Sequence, residues 1–234
     1  MMTSCKRFVS FSGVDGAGKS TQINTLRGWL QDQGLRVDTI AFWDHVATLT
    51  GIREGAGHKI FKGEKGVGHP DAPVNRRDKN VQSWPMLCVR LVLYAFDAIS
   101  TRRNVRKALA SDADFIIFDR YIYDQFANLK LRNRFVRAYV RWLMKLVPRP
   151  DVSYVLDADP MQARARKPEY PLEFIYLNRR AYLDLADLIG GLTIIAPGPV
   201  QQMQAEVLRH AFHLLEFEEL PEERDRATTL QRVG

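Results

Sequence analysis

Two cysteines, Cys5 and Cys88, stand in a chain of 234 residues. That is too few for a disulfide framework, so a reducing compartment such as the cytoplasm is expected. Neither has metal-ligand spacing, and both are expected as small, buried or half-buried side chains. His45, His58 and His69 match no metal pattern and read as solvated loop residues. No apolar run is long enough to span a bilayer. The run after Lys6-Arg7 opens like a secretion leader, but Gly13 and Asp15 cut it. There is no internal repeat and no low-complexity block. Acidic residues are outnumbered, 27 against 34 Lys and Arg, for a formal charge of +7. Such a balance suits a polyanionic ligand without choosing between nucleotide, nucleic acid and membrane surface.

What is present is a phosphate-gripping loop. Gly13-Val14-Asp15-Gly16-Ala17-Gly18-Lys19-Ser20 fits G-x-x-x-x-G-K-[ST], and Thr21 follows. The stretch before it, Arg7 to Ser12, reads as a strand. The stretch after it, Gln22 to Gln33, carries Ile23, Leu26, Trp29 and Leu30 at helical spacing. Strand, loop and helix are the context in which backbone N–H groups turn inward as a phosphate cradle. The helix N-terminus adds favourable partial charge. Lys19 would reach the β- and γ-phosphates and Ser20 would ligate Mg²⁺. A triphosphate-binding site over Gly13, Val14, Asp15, Gly16, Ala17, Gly18, Lys19, Ser20 and Thr21 follows.

The rest of the chain alternates strand and helix. Leu35 to Phe42 reads as a second strand after a Gly34 cap. Residues 44–82 are glycine-rich and lack periodicity, so a mobile insertion is expected, with one short helix near Val46 to Ile52. Met86 to Leu109 reads as a long helix whose second half carries Arg102, Arg103, Arg106 and Lys107. Phe115 to Phe118 is a continuous apolar run, as in a strand buried on both faces. One helix is expected from Tyr123 to Leu146. Val152 to Leu156 is a fourth strand, and Asp159-Pro160 opens a helix as N-cap and first-turn proline. Phe174 to Ile189 reads as a helix, Leu192 to Ile195 as a fifth strand, and Val200 to Phe217 as a closing helix. The whole predicts an α/β, P-loop NTPase three-layer sandwich: a five-stranded parallel sheet flanked by helices. Residues 1–217 form the domain, residues 160–182 a basic lid, and residues 218–234 a charged, loosely held tail.

Ligands of such a sheet lie at the carboxyl ends of its strands. Gly13 to Ser20, Trp43-Asp44, Asp119-Arg120 and Asp157 therefore share one edge. Asp119, at the end of a buried strand, is placed to hold Mg²⁺ or its waters. The planar fork of Arg120 suits a phosphate. Arg164, Arg166, Lys167, Arg179 and Arg180 form a basic segment able to close over transferring phosphates.

These stretches resemble the thymidylate kinases and their relatives among the nucleoside monophosphate kinases. The resemblance rests on Phe11 to Thr21, on Phe118-Asp119-Arg120-Tyr121, and on Val155 to Pro160. Arg164 and Arg166 sit at the lid arginines, and the helix from Leu87 to Leu109 is in register. It covers most of the chain except residues 44–82 and the tail. It implies ATP- and Mg²⁺-dependent transfer of a phosphoryl group to a nucleoside monophosphate. Lys19, Asp119, Arg164 and Arg166 would be the catalytic groups, with Ser20 and Asp119 at the metal. Asp15, Asp44, Asp97, Arg120 and Tyr121 would face the acceptor, Asp15 near its sugar and Arg120 on its phosphate. Some relatives carry a catalytic arginine within the phosphate loop; here Gly16-Ala17 leaves that charge to the lid. Two departures fall on the acceptor side. Phe42-Trp43-Asp44-His45 stands where Arg-Glu-Pro-Gly-Gly is usual, and Asp97 stands where an arginine meets the thymine ring. The partners implied are ATP and a small acceptor, with neither membrane nor nucleic acid, and a homodimer is left open.

Two other readings remain. One is a kinase of the same fold acting on a nucleoside or another hydroxyl-bearing metabolite. The other, of a different class, is a non-catalytic nucleotide-binding or nucleic-acid-associated P-loop protein. A GTP switch is disfavoured, because Asn178-Arg179-Arg180 is the nearest approach to a guanine motif and fails it.

Overall fold

In the computed structural model, residues 6–42 and 84–230 are described. Five strands form one sheet in the order β2-β3-β1-β4-β5: β1 (Arg7–Gly13), β2 (Val37–Ala41), β3 (Phe115–Asp119), β4 (Val152–Leu156) and β5 (Leu192–Ile195). Every pairing is parallel. Between them run α1 (Lys19–Asp32), α2 (Trp84–Leu109), α3 (Ile122–Phe126), α4 (Arg134–Met144), α5 (Pro160–Arg166), α6 (Leu172–Ile189) and α7 (Val200–Leu230).

Side-chain alternation along the strands builds two cores. Phe8, Ile116 and Phe118 point to one face, where Tyr94, Ala98 and Val105 of α2, Phe126 of α3 and Val140 of α4 cover them. Val9, Phe11, Phe115 and Ile117 point to the other, under Ile23, Leu26 and Leu30 of α1 and Val207 of α7. Both faces of β1 and β3 are thus dry, which explains the uninterrupted apolar run Phe115 to Phe118 of β3. Each fully buried leucine or phenylalanine contributes about 1.5–3 kcal/mol. Strand order reverses between β3 and β1, so a crevice opens there at the carboxyl edge. Phe11 pairs with Asp119 across that step, which brings the phosphate loop beside the end of β3.

Three sequence expectations are corrected. The helix expected from Tyr123 to Leu146 is two, α3 and α4. Asn133 starts the second by accepting from the N–H groups of Phe135 and Val136, a local cap that outcompetes continuation. The closing helix expected from Val200 to Phe217 runs on to Leu230 as α7. Cys88 is exposed. The insertion over residues 44–82, with its short helix and histidines, lies outside the described residues, as do Asp44 and Cys5.

Candidate active site

β1 ends at Gly13 and the chain turns through the loop into α1. Gly18 caps α1 in the left-handed region, φ 92°, with no side chain serving as cap. The first-turn N–H groups therefore point out without a capping side chain, as an anion site requires. Gly16 also has positive φ, and a β-carbon there would lie 2.2 Å from the carbonyl oxygen of Ala163 in α5. Only glycine lets the loop and that helix approach so closely.

Lys19 is buried and donates to the carbonyl oxygens of Gly13 (2.8 Å) and Val14 (2.9 Å). Burial, then the nearby Arg120 charge, brings its ammonium down to about 7 from 10.5, against the opposing fields of Asp15, Asp124 and Asp119. Asp119 is half-buried at the tip of β3 and Ser20 is exposed at the start of α1. One carboxylate and one hydroxyl suit Mg²⁺, which keeps several waters and takes its other ligands from phosphate oxygens. Among the described residues no group of three His, Cys, Asp or Glu could hold a metal unaided.

Arg120 carries the strain of the site. It has φ 69°, the one non-glycine with positive φ among the described residues. Its N–H donates to the Phe11 carbonyl at 2.9 Å, tying the turn to β1. Its guanidinium pairs with Asp15 of the loop and, at 2.8 Å, with Asp124 of α3. Burial opposes the charge, but Asp15, Asp124 and Tyr182 outweigh it and hold the group above its ordinary range. Asp124 is a hub that sequence reading passed over. It also accepts from Ser12 Oγ (2.6 Å), Tyr182 hydroxyl (2.8 Å) and Tyr121 N–H (3.3 Å). Its spacing of four from Arg120 was the available signal; nothing in the sequence pointed to Tyr182.

The basic segment divides. Arg166 reaches back to the carbonyl of Gly16 at 3.3 Å. Arg164 instead closes its own turn on the Tyr170 carbonyl. Lys167 pairs with Glu169 at 3.1 Å and lies 4.0 Å from Asp15. Arg179 is committed to Asp157, and Arg180 to Asp184 at 2.9 Å along its own helix.

Tyr121, expected at the acceptor, is fully buried and donates its hydroxyl to the Pro148 carbonyl at 2.6 Å. The aromatic ring following Arg120 serves the core, stacked edge-on against Phe118. Asp97 is likewise fully buried, on the α2 face that carries Tyr94 and Ala98. It contributes, after burial and Tyr94, to pushing the Tyr139 hydroxyl of α4 up to about 12. Arg102 is turned away from it, toward the Leu146 carbonyl at 3.4 Å. A cavity of about 650 Å³ between α4, α6 and the approach to β4, lined by Arg141, Lys145 and Arg149, contains none of these groups.

No family model matches the chain. Curated relatives do. The thymidylate kinase of Bifidobacterium longum subsp. infantis is 30% identical over 193 residues, 76% of this chain and 73% of its own length. The chain belongs to the thymidylate kinase family. A probable thymidylate kinase of Methanosphaera stadtmanae is 24% identical over 210 residues, 87% of this chain and 95% of that one. The solved thymidylate kinase from Ehrlichia chaffeensis superposes with a TM-score of 0.55 at 20% identity, over 87% of this chain and 97% of that chain, a likeness of fold. Family membership makes this chain a nucleoside monophosphate kinase, and the P-loop sandwich is the fold expected of one. Among the described residues no helix is long and apolar enough to cross a membrane.

Proposed function

We propose that this site transfers the γ-phosphoryl group of ATP to the phosphate of a nucleoside monophosphate, with thymidylate as the default acceptor. The observation that carries the reading is the juxtaposition at the β1–β3 step. An amide cradle with a buried lysine stands beside an acidic strand tip and a largely buried arginine. Donor phosphates would take the cradle and draw Lys19 off its carbonyl partners. Anions at that point restore the ammonium charge that burial weakens. Ser20 and Asp119 would hold Mg²⁺, which when bound neutralises charge on the donor phosphates.

Arg120 would bind the acceptor phosphate by exchanging Asp15, its more exposed partner, while keeping Asp124. An acceptor oxygen then forms a bond to the γ-phosphorus as the β–γ bridging bond breaks. The products are a nucleoside diphosphate and ADP. Charge developing on the transferred group needs cations fixed around it. Arg166, already at Gly16, supplies one from the lid, which comprises α5 and the turn to Tyr170. Arg164 shapes that turn.

The test is ADP release from ATP and Mg²⁺ across a panel of nucleoside monophosphates, nucleosides and sugars. Turnover with monophosphates, thymidylate among them, is expected. Turnover confined to nucleosides or sugars would overturn the reading.

A further inference from the structure

Asp124 receives four hydrogen bonds and presents almost nothing to solvent, its side chain being 3% exposed. Its two oxygens face different parts of the molecule. Oδ2 takes Ser12 Oγ of β1 and the N–H of Tyr121, the residue that caps Asp124's own helix. Oδ1 takes Arg120 Nη1 and the Tyr182 hydroxyl, each at 2.8 Å. Tyr182 lies on α6, the helix that continues from the lid, and is itself buried. One oxygen is therefore anchored while the other holds the guanidinium and registers it against α6.

A simple fold anchor would not require this division. Arg120 sits in the left-handed region, where a non-glycine residue relaxes unless its surroundings hold it. Arg120's other charged partner, Asp15, belongs to the phosphate loop and has a second cation, Lys167, at 4.0 Å. The Asp124 contact is the deeper of the two. A buried carboxylate satisfied on both oxygens is rigid, and removing it takes an acceptor from Ser12, Arg120 and Tyr182 at once.

We propose that Asp124 is a positioning residue for acceptor binding, fixing the Arg120 guanidinium in place through Oδ1 and linking it to the lid-following helix through Tyr182. The proposal rests on the assignment of Arg120 to the acceptor phosphate.

The experiment measures steady-state KM and kcat for thymidylate and for ATP, together with Tm, in six variants. Arg120→Ala tests the underlying assignment: if thymidylate KM does not rise, that assignment fails, whatever Asp124 does. With Arg120→Ala raising it, Asp124→Ala should raise thymidylate KM at least about tenfold, with ATP KM within about threefold of wild type. Asp124→Asn, which keeps one oxygen for Arg120, should recover part of the loss. Tyr182→Phe should raise thymidylate KM in the wild-type background and add nothing in the Asp124→Ala background, because the hydroxyl acts through the carboxylate. An unchanged thymidylate KM in Asp124→Ala would overturn the proposal. So would equal rises in both KM values that track a loss of Tm. Should Asp124→Ala not fold, Tyr182→Phe and Ser12→Ala decide. The first should raise thymidylate KM more than the second, since only Tyr182 shares an oxygen with Arg120. The reverse order would make Asp124 a fold anchor only.

Discussion

Arg179 on α6 grips Asp157 at the end of β4 with two parallel bonds, Nε to Oδ1 at 2.6 Å and Nη2 to Oδ2 at 2.7 Å. The pair withdraws a cation from the basic segment and uses it to hold α6 to the sheet. Arg179 is about a third exposed, so solvent screens part of the gain. Arg179→Met should cost roughly 1 kcal/mol and lower Tm by about 2–4 °C. Its kcat should stay within about threefold of wild type. Thermal unfolding and turnover on the same preparation check this, and a large fall in kcat at unchanged Tm would return Arg179 to the lid.

On the proposed reading, Lys19 should make donor binding proton-linked. Its free-state value is about 7, set first by burial, and phosphates raise it. At pH 8 the lysine is largely neutral before ATP arrives and charged afterwards, so binding should take up close to one proton. At pH 5.5 it should take up almost none at this group. Calorimetry of ATP binding in buffers of different ionisation enthalpy measures the number directly.

The same lysine sets a stability trend. Its folded value lies below 10.5, so between about 7 and 10.5 the unfolded chain holds a proton that the native chain lacks. Native stability in the absence of nucleotide should therefore rise with pH across that window from this group. Lys19→Met should raise Tm at pH 6 more than at pH 9 while abolishing phosphoryl transfer. A variant that keeps turnover would remove the case for the phosphate loop.

Two lid arginines separated by one residue should behave differently. Arg166 touches the loop at Gly16, whereas Arg164 closes its own turn. Arg166→Ala should lower kcat by about a hundredfold or more with little change in ATP KM. Arg164→Ala should act through the Tyr170 turn, with a smaller loss that lysine at the same position partly restores.

Asp97 should register as a core residue. Asp97→Asn is expected to lower Tm while leaving the kcat/KM ratio between thymidylate and amine-bearing monophosphates within about threefold of wild type. A shift of that ratio by tenfold or more would place its carboxylate against the base.

The donor half was legible because its chemistry is local. Eight consecutive residues with fixed glycine and lysine positions dictate a loop, and the flanking apolar periods dictate strand and helix. Asp119 could be read as a strand tip for the same reason. What escaped depends on contacts across the fold. Asp124 is held by Ser12 of β1, Arg120 and Tyr121 of the turn after β3, and Tyr182 of α6, with Ser12 112 positions away. The burial of Tyr121 was not legible either: the chain turns at Arg120, which has positive φ, and the ring lies in the core. The helix break before Asn133 was missed because apolar periodicity runs on either side of it, and only the cap marks the boundary.

The contact of Gly16 with the backbone of α5 has a consequence for what sequence change this enzyme can tolerate. A side chain at position 16 would need both a new backbone conformation and the departure of the Ala163 carbonyl. A catalytic arginine cannot be transplanted into the loop at that point while the lid stays where it is. In this chain a loop arginine at position 16 and the present seat of α5 are mutually exclusive by packing, and moving the charge there would take a paired change in loop and α5 together.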